Sequence, residues 1–235
     1  MKSAFITMLA LAGIACAGEK SAPISVPAIP APAHSWAVEL GGQYNWGLGK
    51  FMKSDYFGKK NHMNTVGGDI TGVYNLDENQ AVTLRFGYTY GGDKFAVVAD
   101  GVGEGLEIPN AHVRERLHSF TLMPGYRYTY NINEQWSVYA GANIGLAAES
   151  AKFALSVDLD SRSRMTSEAH KSAWGFAWSI EVGGAYQVAE NMKLFAAMTY
   201  SGNTARPNIK YASESIGKVR AQQYLGVRAG VSYSF

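Results

Sequence analysis

The sequence has a single cysteine, Cys16, and little charge: Asp, Glu, Lys and Arg make up 17% of the residues, and the formal net charge is +2. One cysteine cannot build an intramolecular disulfide framework. A net charge near zero lacks the basic footprint of nucleic-acid-binding proteins, so we expect no nucleic-acid partner. The His, Cys, Asp and Glu residues show no metal-site spacing, and we expect neither a metal nor another cofactor.

Long apolar runs are also scarce, and the only one covers residues 4–17. It follows Lys2, is too short to cross a membrane as a helix, and ends in Ala15-Cys16-Ala17. This pattern predicts a secretory signal peptide over residues 1–17 and a mature chain that starts near Gly18. A second interpretation stays open, in which Cys16 carries a lipid, although Gly13 replaces the bulky aliphatic residue usual in lipoproteins.

Prolines are few, and four of the seven fall within residues 18–34: Pro23, Pro27, Pro30 and Pro32. Such a density predicts a semi-rigid, extended segment and not a packed element. We therefore interpret residues 18–34 as a Pro-rich periplasmic N-terminal segment and residues 35–235 as one folded domain.

From Trp36 onward, apolar and polar residues alternate, which is the period of a β-strand with two different faces. Eight such stretches are joined by short turns at Asp77, Asn133 and Glu190, and by long loops over residues 49–64, 91–115, 150–172 and 201–220. Residues 153–159 still alternate and could extend their hairpin. The asymmetry of short turns and long loops predicts an all-β fold, an eight-stranded antiparallel up-and-down transmembrane β-barrel.

A soluble lipocalin-like barrel is the alternative, with the apolar face turned inward. The membrane version is favoured because aromatic residues such as Trp36, Tyr74 and Trp136 mark the strand ends on the apolar face. The opposite face carries mainly small and polar residues, which suit a narrow polar lumen.

The last strand places Val231, Tyr233 and Phe235 on one face and ends on the aromatic Phe235. It resembles the C-terminal assembly signal of bacterial outer-membrane β-barrels, and the layout from Trp36 onward resembles the small barrels of the OmpA and OmpX type. The resemblance implies that the barrel-assembly machinery is a partner. It also implies a place in the bacterial outer membrane, among its lipids and lipopolysaccharide, with strand eight closed on strand one. The even strand count leaves both termini periplasmic.

Seven charged residues lie well inside the predicted strands, all on the polar face: Glu39, Asp69, Arg85, Arg127, Glu181, Lys193 and Arg228. A charge that faces lipid near the midplane costs roughly 2–4 kcal/mol, which explains the sorting. An eight-stranded barrel is only wide enough for its side chains, so we expect ion pairs that cross and plug the lumen. A gated, porin-like channel, in which an arginine exchanges carboxylate partners, is the alternative.

The first and fourth loops are basic, and strand closure should make them neighbours. Their cations form the predicted basic loop patch: Lys50, Lys53, Lys59, Lys60, Arg206, Lys210, Lys218 and Arg220. Such a patch would attract outer-leaflet phosphates or an acidic surface ligand. The alternative is an ordinary solvated set of loops.

Barrel enzymes that modify lipid A need a Ser–His pair and an orienting acid. His118 adjoins Ser119, but neighbouring strand residues point to opposite faces. His170 lies in a predicted loop with no evident serine and acid partners. We therefore predict no catalytic residue. The leading hypothesis is a structural or surface-interacting outer-membrane protein with ligand-capable loops, followed by a narrow channel for ions or small solutes, and then by a lipid A-modifying enzyme.

Overall fold

The computed structural model describes residues 35–48, 52–53, 63–97, 111–160, 163–211 and 214–235. The predicted signal peptide and Pro-rich segment lie outside the described residues. The described strands, in chain order, are β1 (Trp36–Leu48), β2 (Met52–Lys53), β3 (Thr65–Asn75), β4 (Gln80–Val97), β5 (Ala111–Asn131), β6 (Trp136–Asp160), β7 (Ser163–Ala189), β8 (Met192–Asn203), β9 (Asn208–Tyr211), β10 (Glu214–Val219) and β11 (Gln222–Ser234). No described helix is long and apolar enough to cross a membrane.

Eight strands close into a barrel in the order β1-β11-β8-β7-β6-β5-β4-β3, and every neighbouring pair is antiparallel. The first strand completes the ring, because Gly41 on β1 lies opposite Asp69 on β3 and opposite Gly230 on β11. The eight-stranded up-and-down barrel predicted from the alternation is therefore confirmed. The short strands β2, β10 and β9 form a separate three-stranded sheet.

Burial alternates along the strands, with the apolar residues on the outside. Leu40 and Leu84 are 53% and 54% exposed, whereas their neighbours Glu39 and Arg85 are 3% and 4% exposed. A water-soluble barrel would bury its apolar face instead, so the lipocalin-like alternative is excluded. The outer surface has the apolar character that lipid requires.

Aromatic pairs lie at both ends of the apolar surface. At the end with the short turns, the rings of Trp36 and Tyr74 lie 4.7 Å apart across β1 and β3. At the opposite end, Trp178 and Tyr200 stack edge to face with centroids 4.9 Å apart. Rings of this amphipathic kind mark the two interfaces of a membrane.

The short turns are fixed by side chains that cap their own backbone. Asp77 Oδ1 accepts hydrogen bonds from the backbone N–H groups of Asn79 and Gln80, at 2.8 and 2.7 Å. Asn133 Oδ1 does the same for Gln135 and Trp136. Asp and Asn favour turns for this reason.

Four strands extend well beyond the predicted boundaries. β4 continues to Val97 and β5 starts at Ala111, so the prediction of loop over residues 91–115 is wrong at both ends. The predicted loop at 150–172 is mostly strand as well, because β6 reaches Asp160 and β7 starts at Ser163, in agreement with the alternation at 153–159. On β6 the apolar residues beyond Leu146 change to the other parity, with Phe153, Leu155 and Val157 out of phase with Ile144 and Leu146, so the lipid-facing pattern does not continue into the extension.

Candidate functional site: the charged lumen and the outer wall

Arg228 on β11 is the most enclosed charge of the lumen, with 1% of its surface exposed. Its Nε and Nη2 atoms donate to the two carboxylate oxygens of Asp69, at 2.9 and 2.6 Å. Its Nη1 and Nη2 atoms also donate to Glu39 Oε2, both at 3.1 Å. One guanidinium therefore bridges two carboxylates from β3 and β1, with charge-assisted hydrogen bonds that are stronger than neutral ones.

Arg127 on β5 approaches the same group from the opposite wall. Its Nη1 donates to Glu39 Oε1 at 2.5 Å and its Nη2 to Glu181 Oε1 at 3.1 Å. Arg85 donates to Glu181 Oε2 at 2.5 Å and to Thr71 Oγ1 at 3.3 Å. Three arginines and three carboxylates are thus joined into one neutral, hydrogen-bonded group, as buried charges require. We call it the lumen network: Glu39, Asp69, Arg85, Arg127, Glu181 and Arg228.

Aromatic rings and a glycine shape the space around the lumen network. The guanidinium carbons of Arg127 and Arg228 lie 4.4 Å from the ring centroids of Tyr139 and Phe195, respectively. These are cation–π distances. Gly41 leaves room beside the ion pair, because a Cβ there would stand 2.9 Å from Asp69 Oδ2.

The lumen network lies between two cavities. The larger, about 370 Å³, is at the end with the short turns, and Glu39, Arg127 and Lys193 are among the residues that line it. The smaller, about 60 Å³, is lined by Arg85 together with Asn45, Ser179 and other polar residues of the long-loop end.

Lys193 shares the inward face with the lumen network but lies at a different depth. It pairs with Ser232 near the short turn before β8, whereas Arg228 lies opposite Ala197, four positions further along β8. No described acid forms an ion pair with Lys193. The alternation in the sequence indicates that Lys193 faces the lumen. It does not indicate how deep in the lumen Lys193 lies, because that depends on the stagger between strands.

Glu149 is a buried lumen acid that the sequence analysis did not single out. It lies opposite Ala173 on β7, one position beyond the exposed Trp174 at the outer end of the apolar surface. Asn203 Nδ2 donates to Glu149 Oε1 at 2.7 Å, and Glu149 Oε2 has no hydrogen-bond partner among the described residues. Burial raises the pKa of this carboxyl to about 7, against the weaker lowering effect of the Asn203 hydrogen bond.

The predicted basic loop patch is described only in part. Lys50, Lys59 and Lys60 lie outside the described residues. The first and fourth loops do meet in the small sheet, where Lys53 on β2 pairs with Lys218 on β10. Lys210 lies on β9, and Arg206 and Arg220 are exposed.

The outer wall contains a Ser–His contact that the sequence analysis missed. Ser150 Oγ and His170 Nε2 lie 2.6 Å apart, so the interpretation of His170 as a loop histidine without a serine partner is wrong. Continued alternation on β6 past Leu146, which turns Ser150 outward, was the signal that could have revealed it. Among the residues whose side chains the structure describes, no carboxylate forms a hydrogen bond or ion pair with His170. As predicted, His118 and Ser119 face opposite sides, Ser119 being buried in the barrel.

An all-antiparallel closed barrel with an apolar exterior, aromatic ends and a charged interior defines a transmembrane β-barrel protein. The family described as "Outer membrane protein beta-barrel domain" matches residues 9–235. The chain belongs to this family and is a bacterial outer-membrane β-barrel protein.

Solved structures of similar fold include the attachment invasion locus protein Ail of Yersinia pestis, at 14% identity and a TM-score of 0.45, covering 87% of this chain and 100% of that one. OprG from Pseudomonas aeruginosa matches at 16% identity with a TM-score of 0.48, covering 86% of this chain and 96% of that one. Neisserial surface protein A matches at 16% identity with a TM-score of 0.46, covering 85% of this chain and 97% of that one. Comparison with curated protein sequences gave no match.

Proposed function

We propose that the protein is a structural, surface-interacting outer-membrane barrel whose lumen is closed by ion pairs. The observation that carries the proposal is the position of Arg228, which is 1% exposed and bridges Asp69 and Glu39. Arg127 links Glu39 onward to Glu181, so hydrogen bonds run from β11 and β3 to the opposite wall. A solute could pass only if several charge-assisted hydrogen bonds broke together in a poorly hydrated space.

Two measurements test the closed lumen: the conductance of the wild-type barrel and the stability of an Arg228→Ala variant. The wild-type barrel, refolded and inserted in a planar bilayer, should show no steady conductance. Arg228→Ala leaves Asp69 without its bidentate partner, and loss of one partner of a buried pair typically costs about 3–5 kcal/mol. This variant should therefore unfold at a lower urea concentration than wild type. Arg206→Ala removes an exposed arginine and should change stability by less than about 0.5 kcal/mol. Steady wild-type conductance, or equal stability of the two variants, would contradict the proposal.

A narrow channel remains the second candidate, and the two cavities favour it. Water-sized space lies on both sides of the lumen network, and Glu39 already contacts two arginines. An arginine that exchanged carboxylates would open a path between the cavities. A channel of this kind should conduct in wild type and conduct more in Arg228→Ala, whereas a plugged barrel gives a stability loss alone.

We propose a non-enzymatic role despite the Ser150–His170 contact. A serine nucleophile needs a histidine base that is oriented in turn by a third group, and among the described side chains no carboxylate is bonded to His170. Mass spectrometry of lipid A from cells with and without the protein tests this. Identical lipid A profiles are expected, and a mass difference that Ser150→Ala abolishes would establish an enzyme.

We also propose partners for the loops and for the final strand. The long hairpins and the basic loop patch would face the outside and meet lipopolysaccharide or an acidic surface ligand through opposite charge. Both termini would be periplasmic, and the barrel-assembly machinery would recognise the final strand. The pairing of Lys53 with Lys218 supports one shared basic surface of the first and fourth loops.

A further inference from the structure

The larger lumen cavity, at the end with the short turns, is lined by a cation that has no acidic partner. This cation is Lys193, which lies opposite Ser232, and Ser232 in turn lies opposite Glu39. The three residues therefore occupy one level across β8, β11 and β1. The carboxylate of Glu39 is held by Arg127 and Arg228, and among the described residues no acid forms an ion pair with Lys193.

The lumen network balances its own charges without Lys193. Three arginines meet three carboxylates there, so Lys193 adds one positive charge that the network does not use. Lys193 is partly buried, and a charge that leaves bulk water is most stable beside an opposite charge with hydrogen bonds. A single negative charge beside Lys193 would supply that partner.

Hydroxyl groups beside Lys193 add further donors. Ser232 and Lys193 are directly opposite one another and share the inward face, so their side chains are neighbours. Ser232 lines the same cavity, as does Ser137 on β6. An ammonium group and a hydroxyl on adjacent strands together suit an oxyanion, with charge-assisted hydrogen bonds from Lys193.

Part of the cavity wall is apolar. Ala37, Val73 and Ala81 line it and form one buried cluster on β1, β3 and β4. The aromatic residues Tyr139 and Phe195 line it as well. A purely polar anion leaves this surface against water, whereas an anion with a hydrocarbon part covers it. The combination of a few polar groups with apolar walls is typical of small-molecule sites.

The short-turn end of the barrel gives access to the cavity. Glu78, in the turn before β4, and Glu134, in the turn before β6, line it, and both are exposed. Salt screens exposed charges over about 10 Å at ~0.1 M ionic strength, so these two acids hinder a single negative charge only weakly. They repel a doubly charged anion more strongly, which favours a ligand with one negative charge.

We propose that this cavity binds a small organic monocarboxylate that enters from the short-turn end. Lys193 and Ser232 provide the donors for the carboxylate, and the apolar wall covers the hydrocarbon part. The cavity volume of about 370 Å³ falls within the range of small-molecule sites, roughly 300–1,000 Å³. In the proposed orientation the ligand comes from the periplasm. The site goes beyond the proposed function, because it needs no passage of solute through the lumen network.

The test uses the full barrel refolded in detergent micelles and 4-fluorobenzoate as the probe, followed by fluorine NMR with empty micelles as the background. Wild type should bind this probe. Lys193→Met removes the cation and keeps a side chain of similar length. It should weaken binding by about 10-fold to 100-fold, as expected for loss of a charge-assisted hydrogen bond. Lys171→Met removes an exposed lysine at the long-loop end and should leave binding unchanged.

Three further comparisons decide the result even if Lys193→Met fails to fold. Lys193→Arg keeps the charge and should bind the probe within about 10-fold of wild type. The neutral isostere 4-fluorobenzamide should bind wild type at least about 10-fold more weakly than 4-fluorobenzoate, because it has no charge for Lys193. Inorganic phosphate should compete less well than benzoate, because it has no hydrocarbon part for the apolar wall.

Four outcomes would each overturn the proposal. The first is no saturable binding of 4-fluorobenzoate by wild type at concentrations of about 10 mM, which would show that Lys193 is only hydrated. The second is equal binding of the benzoate and the benzamide. The third is unchanged binding by folded Lys193→Met, or loss of binding in folded Lys193→Arg. The fourth is equal competition by phosphate and benzoate, which would exclude a role for the apolar wall.

Discussion

Gly41 faces Asp69 across the pairing of β1 with β3, and a Cβ on Gly41 would stand 2.9 Å from Asp69 Oδ2. The same Cβ would stand 3.0 Å from Arg228 Nε. The absence of a side chain at this position is thus what lets the carboxylate and the guanidinium meet inside a narrow barrel. Glycine in a strand weakens the strand, so a compensating close approach is expected there.

Gly41→Ala should destabilise the barrel by roughly 1–3 kcal/mol, because the added methyl forces apart an ion pair that has nowhere to move. Gly42→Ala is the matched control, since nothing lies within 4 Å of a Cβ at Gly42. Urea unfolding followed by tryptophan fluorescence measures both. If the two variants unfolded at the same urea concentration, the proposed packing of the lumen network around Gly41 would be refuted.

Glu149 should make stability depend on pH in a definite direction. Its pKa is about 7 in the folded barrel, above the usual 4.5, so between these values the folded state holds more protons than the unfolded state. Stability therefore falls as pH rises from 4.5 to 7 and stays lower above that range. Glu149→Gln cannot ionise and keeps an oxygen that can accept from Asn203.

We expect Glu149→Gln to match wild type at acidic pH and to exceed it by up to about 3 kcal/mol above neutral pH. Glu134→Gln, at an exposed turn residue, provides the control and should follow wild type throughout. Urea unfolding across the pH range gives the comparison. If the free energy of unfolding changed with pH in the same way for Glu149→Gln and wild type, the carboxyl of Glu149 would have to be solvated in the native state.

Cysteine labelling tests the orientation of the barrel. Arg206 and Glu190 are both exposed and lie at opposite ends, the first after β8 and the second in the short turn before it. In intact cells an impermeant maleimide should label Arg206→Cys and leave Glu190→Cys unmodified, with the wild-type chain as the background control. The reverse labelling pattern would place the short turns outside.

The aromatic end of β11 should govern insertion. Phe235 is 76% exposed, its ring lies 5.2 Å from that of Tyr233, and its N–H donates to Trp36 O at 2.9 Å, where the barrel closes. Tyr233→Ser combined with Phe235→Ser removes the interfacial anchor and should reduce the outer-membrane yield of heat-modifiable barrel. Ser234→Ala, on the inward face, should insert normally. Equal membrane yields would show that these rings are dispensable for assembly.

The sequence predicts the barrel well because lipid imposes a strict outward pattern on each strand. Glu39, Arg127 and Arg228 could be assigned to the inner face for the same reason. Which acid meets which arginine follows from the stagger between strands far apart in the chain, and single-strand periodicity does not contain it. Glu149 and the Ser150–His170 contact were missed because the lipid-facing apolar pattern of β6 ends after Leu146, and the alternation that follows has its apolar residues on the other parity.

The hairpin of β6 and β7 extends further beyond the apolar surface than the other described strands do. Beyond Leu146, β6 continues to Asp160, on the order of 45 Å of strand at ~3.3 Å per residue. With a tilt of ~40° the end of this hairpin would stand about 35 Å above the level of Leu146, close to the ~30 Å thickness of the hydrocarbon layer itself. In the proposed orientation, an antibody or phage that approaches the cell would reach the described end of this hairpin before it reached the barrel mouth.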